Sequence, residues 1–161
     1  MLYSMPMAPW PAKPKGNGEA MARTPLLRLV IPSLPPAEYS ANYARGRHWA
    51  EKQRVTQAAH DEIIAEVRNQ GWQGPTLQKA HVKVIFTLPS RRKIDGGSLV
   101  ERSKPWIDGL VLAGVIADDD LETIGFPEFS HTYERRAQAQ TVVEVYVWRS
   151  SDWPVIEKVL E

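Results

Sequence analysis

A mixed β-sheet with helices packed on it, an α/β domain of the α+β type, is the architecture this sequence predicts, and three observations lead to it. Short β-type runs alternate with two helical patterns in the order β, α, β, α, β. The 161 residues suffice for one hydrophobic core but not for two ordinary domains. Hydrophobic residues make up 43% and charged residues 24%, the balance of a chain that folds.

Residues 1–24 carry Pro6, Pro9, Pro11, Pro14, Gly16 and Gly18 without apolar periodicity, and read as a disordered leader before a folded domain over 25–161. Met5, Met7 and Met21 leave open a later start of translation. The first strand is expected over Leu26 to Ile31, at or near a sheet edge, because Pro32, Pro35 and Pro36 cannot continue a strand interior. From His48 to Asn69, Trp49, Val55, Ala59, Ile63 and Val67 recur at mostly four-residue spacing between charged residues, which predicts an amphipathic helix ended by Gly71 and Gly74-Pro75. Ala80 to Leu88 alternates, with Val82, Val84, Phe86 and Leu88 on one face, as a strand does. A Gly96-Gly97 loop then precedes a helix expected over Pro105 to Ala113, where Trp106, Ile107, Leu110 and Val111 share a face and Gly114 suits the C-terminal cap. Thr141 to Trp148 alternates and is rich in valine and aromatics, a further strand, and a short helix is expected from about Trp153.

With 20 basic and 19 acidic residues the net charge is +1, so attraction to nucleic acid would have to come from segregated charge. The absence of cysteine excludes disulfides, thiolate metal sites and cysteine nucleophiles, and fits a reducing cytosol. No apolar run reaches the roughly 18 to 20 residues of a membrane span, so a cytoplasmic protein without membrane partners is expected.

The chemistry-bearing residues cluster around the second helix. Asp95 precedes it and Asp118, Asp119 and Asp120 follow it. Crowded carboxylates are unfavourable unless a cation neutralises them or water solvates them. A hard divalent ion such as magnesium or manganese is one reading; a solvated acidic turn is the other. Lys104 and Asp108 stand four apart on one helix face, where a surface ion pair worth about 0.3–0.5 kcal/mol explains them, and where Lys104 could also stabilise charge on a phosphate. The four histidines, His48, His60, His81 and His131, are too scattered to share an ion, and Trp49 and Trp106 read as core residues.

The run Lys104-Pro105-Trp106-Ile107-Asp108-Gly109-Leu110, followed by Ala113-Gly114-Val115-Ile116-Ala117-Asp118-Asp119, resembles the RusA family of Holliday-junction resolvases. That family's pattern is lysine, three residues, aspartate, a small residue, leucine, then an alanine-glycine turn and paired acids. Upstream, Asp95 and Leu99 match the family's aspartate, any residue, aspartate, asparagine, leucine when a few extra residues precede the lysine. Gly97 and Ser98 depart from it, standing where the second aspartate and the asparagine belong. Pro105 directly after Lys104 also disfavours helical geometry at the lysine.

The resemblance implies a RusA-like fold and a magnesium-dependent endodeoxyribonuclease, with manganese able to substitute, that cuts branched DNA such as a four-way junction as a homodimer. It implies Asp95, Asp118 and Asp119 as metal ligands and Lys104, Asp95 and Asp119 as catalytic residues; whether Glu101, from the inserted turn, or Asp120 supplies the missing oxygen is left open by the sequence. The expected DNA contacts are Arg91, Arg92 and Lys93, with Arg47 and Lys52 and then Arg45, Arg54, Arg135 and Arg136 as further cations, each cluster also readable as a solvated charged face. The departures at Gly97 and Ser98 keep a second possibility open, a family descendant that binds branched DNA without cutting it.

Overall fold

The computed structural model describes residues 23–149 and has the predicted mixed α+β architecture: four strands in one sheet carrying three helices. The elements in chain order are β1 (Leu27–Ile31), a 3-10 turn (Ala37–Tyr39), α1 (Ala41–Ala44), α2 (Trp49–Asn69), β2 (Ala80–Leu88), α3 (Gly96–Leu112), β3 (Glu128–Tyr133) and β4 (Gln140–Val147). The sheet runs β1-β4-β2-β3. β4 pairs antiparallel with β1 and β2, whereas β2 and β3 are parallel, so the chain crosses over between them through α3.

The period-two pattern decides which sheet face meets the helices. Leu27, Leu29 and Ile31 of β1, Val82, Val84 and Phe86 of β2, and Val143 and Val145 of β4 are buried together with Ala59, Ile63 and Val67 of α2 and Leu99, Trp106, Ile107 and Leu110 of α3. The opposite face carries a polar ladder, in which Arg28 pairs with Glu144 while Lys83 and His81 pair with Glu128. Such a division is normal for a sheet with helices on one side. Among the described residues, no helix is long and apolar enough to cross a membrane.

Both long helices end by the same device. Gly71 and Gly114 hold φ of 70° and 75°, a left-handed conformation that glycine adopts without steric penalty. Gly114 N–H donates to Val111 O and Val115 N–H to Leu110 O, which satisfies the last carbonyls of α3. α2 and α3 also approach closely at Gly109, where a Cβ would lie 2.8 Å from Cβ of Ile63.

Four expectations need correction. α3 begins at Gly96, not near Pro105, because Asp95 caps it and Leu99 and Ser103 extend the buried stripe by a further two turns. Gly96 and Gly97 are therefore helical, and so is Lys104, despite the proline that follows it. Trp49 opens α2 but is 67% exposed, so it lies outside the core, unlike Trp106 at 1%. β3, the 3-10 turn and α1 were not anticipated: β3 is a short edge strand with little buried surface and no hydrophobic alternation to mark it. Arg23 donates to the carbonyl of Val147 and lies over the Tyr146 ring, so the last two residues assigned to the leader include one docked on the sheet. The rest of the leader and the helix expected from Trp153 lie outside the described residues.

Candidate functional site

Lys104 and Asp108 sit on successive turns of α3, and the (i, i+4) spacing brings Lys104 Nζ to 2.9 Å from Asp108 Oδ1. The turn at Gly114 reverses the chain. Leu77 then clamps the returning segment, donating to Val115 O and accepting from Ala117 N, while Ala80 N–H donates to Thr123 O. Those three bonds fix the acidic turn beside the start of β2 and fold Asp119 back along the helix. Its Oδ2 lies 2.7 Å from Lys104 Nζ, a contact across fifteen residues of chain.

One ammonium thus bridges two carboxylates that would otherwise repel each other. The hydrogen bond to Asp119, then that to Asp108, holds the Lys104 pKa above the ordinary lysine value. The same bond from Lys104 holds the Asp119 carboxyl below the usual aspartate range. The side chains are 64%, 35% and 31% exposed for Lys104, Asp108 and Asp119, so a solute phosphate can reach them and water screens them.

The other acids of the triplet have local duties. Asp118 Oδ1 accepts from the Asp119 amide at 2.7 Å, and Asp120 Oδ1 accepts from Thr123 N at 2.7 Å; the Thr123 side chain first, then its backbone amide, lowers the Asp120 pKa. Asp120 is thereby the cap of the following turn. Glu101 accepts from Ala41 N at 2.9 Å, tying α3 to the first turn of α1.

Asp95 is placed elsewhere. It is the N-cap of α3, with Oδ1 accepting from Gly97 N at 3.1 Å, and nine residues of helix, about 13 Å of axial rise, separate it from Lys104. Among the described residues no three His, Asp or Glu side chains converge so as to hold a metal ion. Asp95, Asp118 and Asp119 thus form no such group in this arrangement, and Glu101 and Asp120 each accept from a backbone amide.

A groove of about 340 Å³ opens beside Lys104 and Asp108, lined by Tyr39, Tyr43, Lys52 and Glu101 from the 3-10 turn, α1, α2 and α3 and by Arg47 from the α1–α2 link. Beneath it, Glu62 Oε2 accepts from Trp106 Nε1 at 2.9 Å and from the Tyr39 hydroxyl at 3.4 Å. Burial first, then the Glu62 carboxylate, pushes the Tyr39 pKa up to about 12, so its proton stays on. Sequence reasoning missed Tyr39, Tyr43 and Glu62. The two tyrosines lie in a stretch without periodic signal, and Glu62 occupies a position on α2 that looks like any solvated helix charge.

The cations divide into two groups. Arg47 and Lys52 line the groove, and Arg47 is committed to Glu51 at 2.9 Å and to the face of Tyr43 at 3.9 Å. Arg45 and Arg54 are exposed on the same segment. Arg91, Arg92 and Lys93 are exposed at the opposite end of α3, beside Asp95, in company with Arg135 and Arg136.

Neither the scan of protein-family models nor the search of curated proteins matches this chain.

Proposed function

We propose that this chain is a RusA-like endodeoxyribonuclease acting on branched DNA, four-way junctions above all, as a homodimer whose two-fold suits that of the junction. The observation that carries this reading is the 2.7 Å bond from Lys104 to Asp119, which joins the lysine and the acid at the two ends of the resembled motif. Lys104 is protonated at neutral pH as any lysine is, and its two carboxylate partners favour the charged form further. Its ammonium can exchange a carboxylate for a phosphate oxygen and counter the charge that develops there during cleavage. Asp108 keeps the lysine directed along the helix face when Asp119 lets go. Magnesium or manganese belongs to what the resemblance implies; because the carboxylates do not converge, no step is assigned to it.

Incubation of the purified protein with a synthetic four-way junction, with magnesium or with manganese, should give paired, symmetry-related incisions. Both Lys104→Met and Asp119→Asn should abolish them. Absence of incision with either ion rejects the nuclease reading.

The N-cap duty of Asp95 favours a second reading, a relative that binds branched DNA without cutting it. Under that reading the wild type and Asp119→Asn bind a junction equally tightly, and neither cuts.

A further inference from the structure

We propose that the loops following β2 and β3 form one phosphate-binding patch that grips a duplex arm beside the N-terminus of α3, an inference that rests on the branched-DNA reading above. β2 and β3 are parallel, so both strands deliver the chain to the same end of the sheet. Leu88 pairs with Tyr133, and Glu134 N–H donates to Leu88 O at 3.1 Å, which fixes the two exits side by side. From there one chain runs into Arg91, Arg92 and Lys93 and the other into Arg135 and Arg136. The Arg91 guanidinium lies 4.9 Å from the centre of the Tyr133 ring, bridging the loops.

All five cations are exposed, and no salt bridge among the described residues engages any of them. The loops carry two acids, Glu134 and Asp95, and Asp95 is taken by the α3 cap. Five neighbouring positive charges repel one another, and a polyanion of regular spacing removes that repulsion. The groove cations differ in kind, since Arg47 already has its carboxylate and its aromatic face.

The patch adjoins the N-terminus of α3, and the helix rises about 13 Å from Asp95 to Lys104, so the patch cations and the Lys104 cluster meet different phosphates.

Duplex binding followed by fluorescence anisotropy over a salt series tests the patch without any need for cleavage. Arg91→Ala/Arg92→Ala/Lys93→Ala should reduce the slope of log K against log salt by about 2.7, and Arg135→Ala/Arg136→Gly by about 1.8, at 0.9 per phosphate contact. Glycine is chosen at 136 because Arg136 has φ of 63°, where alanine would add strain. Arg68→Ala, an exposed cation in the last turn of α2, should leave the slope unchanged. Phosphate ethylation interference on a junction should place the patch contacts on phosphates other than those lost in Lys104→Met.

An unchanged slope for either loop variant, or an equal fall for Arg68→Ala, overturns the patch; so does tight binding to phosphatidylserine vesicles with none to duplex. If the patch fails while junction incision persists, the nuclease reading stands. A wild type that neither binds duplex nor cuts junctions overturns both.

Discussion

Changing Gly109 to alanine puts a new methyl carbon 2.8 Å from Cβ of Ile63, 3.1 Å from its Cγ2 and 3.3 Å from its Cγ1. Carbon atoms rest about 3.5–4.0 Å apart, so α2 and α3 must separate by up to about 1 Å or Ile63 must leave its rotamer. Ile63 is fully buried and has no free side to move into. Overpacking of this kind costs about 1–3 kcal/mol, and the absence of slack here argues for the upper half of that range. Alanine recovers about 1 kcal/mol as the better helix former, leaving a net loss of about 1–2 kcal/mol. Thermal unfolding should show a fall in Tm of roughly 3–8 °C. Gly96→Ala is the matched control in the same helix: a Cβ there meets nothing within 4 Å, so stability should rise by about 0.5–1 kcal/mol. Opposite signs for one chemical change are the expectation. A Gly109→Ala protein as stable as the wild type would show that the helices are not in contact at that point.

Three further outcomes follow from the geometry. Gly114→Ala forces a side chain into φ of 75° and should cost about 1–2 kcal/mol in urea unfolding, with Gly114→Asn milder. Trp106→Phe removes the indole donor from Glu62 and should cost about 1–3 kcal/mol, while Tyr39→Phe, which removes the longer bond, should cost less. Lys104→Met should cost at most about 1 kcal/mol at neutral pH, since the lysine is 64% exposed. Its pH dependence has a definite sign. The raised Lys104 pKa gives a contribution complete below the ordinary lysine value and lost as pH climbs through the higher folded value. The lowered Asp119 pKa gives one complete above the ordinary aspartate value and lost as pH falls through the folded value. The variant should therefore lose less stability than the wild type on going below about pH 4 and above about pH 10.

Elements with one strong periodic face were legible in the sequence. β2 and β4 alternate because one side of each meets the helices, and α2 shows Val55, Ala59, Ile63 and Val67 at the interval of a helical stripe. The start of α3 was not legible, because two adjacent glycines each cost about 1 kcal/mol in a helix and read as a loop. Burial of Leu99 and Ser103 against the core overrides that local preference. At the site, the spacing of Lys104 and Asp108 announces their contact, since a helix dictates it. The pairing of Lys104 with Asp119 depends on the bonds Leu77 makes to a segment nearly forty residues later, which no local pattern encodes. Asp95 shows the remaining ambiguity: a carboxylate just before a helix serves equally as a cap or as a ligand, and residue type does not distinguish them.

The route from β2 to β3 gives the molecule a particular unfolding behaviour. Because these strands are parallel, about forty residues that include α3, the Gly114 reversal and the acidic turn must be in place before β3 can reach its partner. The expected consequence is that β3 docking and the approach of Asp119 to Lys104 open and close together. Amide protons of β3 and of the 115–124 segment should exchange at a common rate, and anything that seizes one should slow the other.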